Sequence, residues 1–178
     1  MTKLTLRQWI TMALCCDMGL FSKRLIAPAV NILTDALHIP GGIGTSFSLM
    51  FLVVAAGLIP QFGCATIMSV MQSLLALSMG MVGSMGLLSP VGYIVPGVVI
   101  DVLLLARRRL NLPEAVSLVL SNMLAAVSAG LIANLIVFRL HGLPLLLYAA
   151  VALASGAICG ALAVALTERL KPVLCREN

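Results

Sequence analysis

Long apolar runs broken by short proline- and glycine-rich stretches dominate this chain. The run Phe47 to Ile59 breaks at Pro60-Gln61-Phe62-Gly63 and resumes as Cys64 to Met81. Each run reaches, or nearly reaches, the ~20 residues that a helix rising ~1.5 Å per residue needs to cross a ~30 Å hydrocarbon core. The break therefore reads as a hairpin at one membrane face. Further runs cover Trp9 to Phe21, Val91 to Ala106, Pro113 to Phe138 and Leu145 to Leu166. The pattern predicts an all-α, polytopic bundle of six transmembrane helices in one domain, residues 1–178, with helices over 5–22, 43–59, 63–81, 91–106, 113–138 and 145–167. Between the first two, Leu25 to Leu37 is apolar at helical spacing but too short to span. It is expected to form a short interfacial segment.

The breaks carry their own chemistry. His38-Ile39-Pro40-Gly41-Gly42-Ile43-Gly44-Thr45 forms a glycine-dense lip, and Gly80-Met81-Val82-Gly83-Ser84-Met85-Gly86 closes the third helix at the same face. Irregular backbone near lipid must be covered by protein or face water, so two such mouths predict a shallow cavity. Pro96-Gly97 is expected to kink or unwind the fourth helix near its start. Asp17 costs about 2.5–3.5 kcal/mol facing lipid at mid-depth, so it is expected inside the bundle or near the outer interface.

Composition removes the soluble alternatives. With 61% hydrophobic and 10% charged residues among 178, the chain is far more apolar than a soluble domain requires. A net charge of +5 raises the question of nucleic acid, but the cations sit at helix ends rather than along a stripe. They act as topology signals instead. With both termini cytoplasmic, Lys3, Arg7, Arg107, Arg108, Arg109, Arg169, Lys171 and Arg176 lie inside, against Lys23, Arg24 and Arg139 outside. The N-terminal stretch also resembles a signal peptide, with Lys3 and Arg7 before an apolar run and Ala27-Pro28-Ala29 after it. Asp17 and the Lys23-Arg24 pair favour a retained helix.

Few polar side chains are available to read a ligand at the outer mouth. Asn31, Asp35 and His38 come from the interfacial segment, and Gln72, Tyr93, Asn134 and Tyr148 from later helices. In a dry pocket a paired amide or phenol discriminates strongly, because a wrong ligand leaves it unsatisfied. Each also has a plain structural reading as a helix–helix hydrogen bond or a belt tyrosine. Ala152, Gly156 and Gly160, four apart, permit close helix approach either within the bundle or to a partner. The five cysteines show no CxxC, and only His38 and His141 accompany them, so no zinc-type metal site and no cofactor is expected. A Cu(I) site among the methionines is a minor alternative.

Several stretches together resemble the substrate-binding S components of energy-coupling-factor (ECF) vitamin transporters. They are Gly44-Thr45-Ser46-Phe47-Ser48 entering the second helix, Gly63-Cys64-Ala65 opening the third, Val95-Pro96-Gly97-Val98-Val99-Ile100-Asp101 in the fourth, and the arginine-rich loop that follows. The resemblance implies a prokaryotic plasma-membrane subunit that binds a small water-soluble vitamin, with thiamine-related compounds as a guess, at the outer face. It implies as partners a transmembrane coupling subunit and two cytoplasmic ATPases. The chain has no GxxxxGK[ST] phosphate loop of its own. The family often docks through small residues four apart on the first helix; the nearest equivalents here are Ala13, Cys15 and Gly19. The competing expectations are a non-transporting membrane scaffold, a metal or tetrapyrrole uptake subunit and, third, a membrane enzyme, for which no catalytic spacing is present.

Overall fold

The computed structural model describes residues 5–36, 43–59, 61–80, 86, 88–137 and 142–175. Among them the chain is all-helical: α1 (Leu6–Ala36), α2 (Ile43–Leu58), α3 (Cys64–Ser78), α4 (Ser89–Leu110), α5 (Glu114–Ile132) with a π-helical turn at Ala133–Val137, and α6 (Leu143–Cys175). Three stretches, Ser89–Arg107, Glu114–Leu135 and Leu143–Pro172, are long and apolar enough to cross a membrane. This is the composition of a membrane protein.

The second helix is the axis of the bundle. Ten of its sixteen residues are buried, and it packs against every other helix. A helix buried on nearly all sides has no polar face to present, and α2 accordingly carries Phe47-Ser48-Leu49-Met50-Phe51-Leu52-Val53-Val54-Ala55-Ala56 with no charge. The strong pairings α1 with α2, α3 with α4, α4 with α5 and α5 with α6 follow chain order, as expected for antiparallel neighbours joined by short connections. One end of the bundle thus gathers the start of α1, the α2–α3 turn, the α4–α5 turn and the end of α6. The opposite end gathers the end of α1, the start of α2, the end of α3, the start of α4 and the α5–α6 turn.

Local signals explain the boundaries. Pro90 occupies the first turn of α4, where its missing N–H is harmless, and Asn111 ends that helix in the left-handed region at φ 50°. Gly63, at φ 91°, turns the chain into α3 but brings no side chain to cap it. The cap is supplied across the bundle. Asp101 of α4 accepts hydrogen bonds from the backbone N–H groups of Ala65 (3.2 Å) and Thr66 (2.8 Å) and from the Thr66 hydroxyl (2.6 Å). A buried carboxylate on a helix N-terminus is stabilised by both the free donors and the dipole.

The α5–α6 contact bears out the reading of the small residues as internal packing. A Cβ on Gly156 or Gly160 would lie 2.8 Å from the Cα of Met123 or Val119, so glycine is what lets the two backbones touch. Asn122 then donates to the Gly156 carbonyl at 2.9 Å.

Three expectations are corrected. The short segment after the first helix does not exist as a separate element, because α1 runs unbroken for 31 residues through Ser22-Lys23-Arg24. Ser22 is buried and the partly buried Lys23 lies over the Tyr93 ring, while Arg24 stays exposed, so the helix continues through this polar stretch. Pro28 lies within α1 on its exposed side, as does Arg24, to whose carbonyl it has no N–H to donate. Second, α4 does not unwind at Pro96-Gly97 but stays helical there, and it continues past Arg107 to Leu110. Both Pro96 and Gly97 are buried, with Gly97 close against Ser69 and the Ala65 carbonyl of α3. Third, of the two places expected for Asp17 the bundle interior is excluded, since it is exposed on the flank of α1.

Candidate functional site

Side chains of α1, α3 and α4 meet toward the end where α3 stops. Gln72 is buried and donates from Nε2 to the Cys16 carbonyl of α1 at 3.2 Å, which sets the register of α1 against α3. Seven residues further along α1, about 10 Å higher, Lys23 lies level with the last turn of α3. Its ammonium sits 3.7 Å from the centroid of the Tyr93 ring, reaching from α1 to α4. A cation on an aromatic face is worth about 0.5–2 kcal/mol, less than the several kcal/mol that withdrawing an ion from water costs. Beside it Ser22 is 3% exposed, and its hydroxyl has no hydrogen-bond partner.

The other expected ligand residues are distributed differently. Asn134 is buried in the π-helical turn and donates back to the Gly130 carbonyl at 2.9 Å. Tyr148 of α6 packs against Gly130 of α5, where any side chain on that glycine would collide with its ring. Both residues thus meet Gly130 near the α5–α6 turn, at the same end as Lys23 but on another pair of helices. Asn31 and Asp35 belong to the last two turns of α1, and their side chains lie outside the described residues, as does His38 with the lip through Gly42. Met81 to Met85, Arg139 and His141 also lie outside them.

The opposite, arginine-bearing end contains a cavity of about 630 Å³ between α2, α4, α5 and α6. Its apolar floor includes Leu58, Leu104 and Leu112, and its polar rim Gln61, Asp101, Arg107, Asn111, Glu114 and Lys171. Glu114 joins the rim together: Lys171 donates to its two carboxylate oxygens at 2.9 and 2.8 Å, and Arg107 approaches at 3.4 Å. All three are partly exposed, so the cluster ties α4, α5 and α6 loosely. Sequence reasoning missed this hollow. Its lining comes from four helices, and only the Asp101 carboxylate within an apolar run hinted at it.

Between the two ends the described core is mainly apolar. Leu52, Val53, Val54 and Ala55 of α2 are 0–1% exposed, and Ile100, Leu118 and Ala125 close around them from α4 and α5. Beside them on α5, Ser121 and Asn122 are fully buried, and the Ser121 hydroxyl and Asn122 Oδ1 have no hydrogen-bond partner.

Of the three residues expected to dock a partner, Cys15 and Gly19 are buried and only Ala13 faces outward. Gly19 lies against the Ser48 carbonyl and Gln72, so its small size serves α1–α2–α3 packing. The outward face of α1 instead carries Trp9, Ile10, Ala13, Leu14, Asp17, Met18 and Phe21. With Gly19 beside Ser48 and Cys16 beside Gln72, Asp17 is level with the middle of α2. Among the described residues no three His, Cys, Asp or Glu side chains converge as metal ligands.

Comparison with known proteins found no matching family model, no matching curated protein and no matching solved structure.

Proposed function

We propose that this chain is the substrate-binding subunit, or S component, of an ECF-type importer in a prokaryotic plasma membrane. In this reading all six helices cross the bilayer and both termini are cytoplasmic. The end carrying Lys23, Tyr93, Asn134 and Tyr148 faces outward and captures a small water-soluble vitamin or related micronutrient. The observation that carries the reading is the close apolar packing around Leu52 to Ala55, below an end that carries buried Ser22 and Asn134 and partly buried Lys23, Tyr93 and Tyr148. A sealed bundle binds without conducting, so release on the far side requires movement driven by other chains. A transmembrane coupling subunit and two cytoplasmic ATPases supply that drive.

The flank of α1 supports a partner on that side. A carboxylate held toward lipid at mid-depth costs about 2.5–3.5 kcal/mol, a cost removed when a partner helix covers Asp17 with a donor. Ala13, one turn away on the same face, leaves room for close approach.

Mass spectrometry of small molecules released from the detergent-purified protein tests the function. One nutrient at near-stoichiometric yield is expected. Recovery of a metal chelate or tetrapyrrole redirects the substrate class. Recovery of nothing, from protein that also gains no thermal stability from any water-soluble vitamin, favours a scaffold.

A further inference from the structure

Lys23 carries a charge that no described side chain balances. Its only described partner is the Tyr93 ring, and no carboxylate among the described side chains lies within ion-pair distance. Asp101 and Glu114 are engaged at the opposite end, and Asp17 points outward from α1. Asp35 stands twelve residues further along the same helix, about 18 Å away by helical rise. Lys23 is partly buried, and an aromatic face repays only part of what withdrawing an ammonium group from water costs, so among the described side chains this cation has no counter-charge.

The neighbouring residue adds a second, independent deficit. Ser22 is nearly fully buried, yet its hydroxyl bonds to nothing, although a helical serine ordinarily returns its hydrogen bond to a preceding carbonyl. Ser69, Ser73 and Ser117 do so in this same bundle. A donor without an acceptor and a cation without an anion thus occupy consecutive positions of α1, near the end of α3.

We propose that the ligand of this subunit bears an acid group, a carboxylate or a phosphate monoester. Lys23 pairs with that group, Ser22 donates a hydrogen bond to it, and Tyr93 forms the adjoining wall. The proposal rests on the binding-subunit reading and narrows its substrate class to anions. Arg24, exposed at the next position, adds positive potential that draws anions toward this end.

Matched pairs of probes separate the charge from the rest of the ligand: biotin and biotin amide, pantothenate and panthenol, nicotinate and nicotinamide, thiamine monophosphate and thiamine. Thermal shift and calorimetry on detergent-purified wild type, K23Q, K23R and S22A supply the readout. At least one acid is expected to bind tenfold or more tighter than its uncharged twin. K23Q then loses tenfold or more for the acid alone, K23R retains part of it, and S22A loses several-fold. Should K23Q fail to fold, S22A and K23R carry the comparison. Equal binding of both members of a pair, or acid binding unchanged in K23Q or S22A, overturns the inference and leaves the binding-subunit reading standing. Absence of binding by every member overturns both.

Discussion

Replacing Asp101 with alanine is the sharpest probe of how this bundle holds itself together. The carboxylate is 3% exposed and receives three hydrogen bonds at the start of α3, two from backbone N–H groups and one from the Thr66 hydroxyl. Hydrogen bonds to a charged group contribute about 1.5–3 kcal/mol each, and loss of a helix cap costs about 0.5–2 kcal/mol. The sum overstates the effect, since Asp101 borders the cavity and water admitted there re-solvates part of the freed backbone. A net loss of about 3 kcal/mol follows, or roughly 6–12 °C in Tm for a chain of this size. D101N keeps one acceptor but turns an amide donor toward the others, so about half that loss is expected. Thermal unfolding in detergent, with Thr66→Val and the double variant completing a cycle, isolates the Asp101–Thr66 term, expected at about 1–2 kcal/mol. A D101A protein melting within about 2 °C of wild type, or a vanishing coupling term, refutes the capping argument.

Four further outcomes are expected. Gly156→Val forces a side chain into the Met123 backbone and is expected to cost about 1–3 kcal/mol, read from unfolding midpoints, with Gly156→Ala at the low end. Glu114→Gln removes a partly exposed ion cluster and is expected to change stability by less than about 1 kcal/mol, a result that high salt reproduces in the wild type. Asp17→Leu is expected to stabilise the isolated protein in bilayers while weakening its recovery with coupling partners on co-purification; unchanged recovery removes α1 from the interface. Cys15, Cys16, Cys64 and Cys159 are buried, so maleimide is expected to reach them slowly in the native state and readily after denaturation, as followed by mass.

Most helix positions were legible in the sequence because apolar runs and their breakers carry the signal directly. The runs on either side of Pro60-Gln61-Phe62-Gly63 became α2 and α3 within a few residues of expectation, and Pro113-Glu114 marks the start of α5. Charges misled where they serve packing. Lys23 read as a cation at a helix end, whereas its long stem carries the ammonium inward to Tyr93. Arg107 read as loop, yet it lies on α4, where it faces Glu114. Candidate ligand residues were legible as polar outliers but not in their partners: Gln72 bonds α1, Asn134 bonds its own helix, and Tyr148 packs on Gly130. No one-dimensional pattern distinguishes these uses, because each depends on which helix lies opposite. Small residues behaved likewise, with Gly19 packing inward while Ala13 at the same helix faces out.

Every functional statement made above rests on the proposed six-span threading, and cysteine labelling tests it directly. Cys175→Ser, with the four buried cysteines as a slow background, provides the parent for single replacements at Leu110 and Leu143, both exposed beside turns at opposite ends. In intact cells a membrane-impermeant maleimide is expected to label Leu143→Cys at once and Leu110→Cys only after permeabilisation. Labelling of both from the same side contradicts the six-span arrangement, and labelling of Leu110→Cys alone in intact cells inverts it and places the Lys23 end in the cytoplasm.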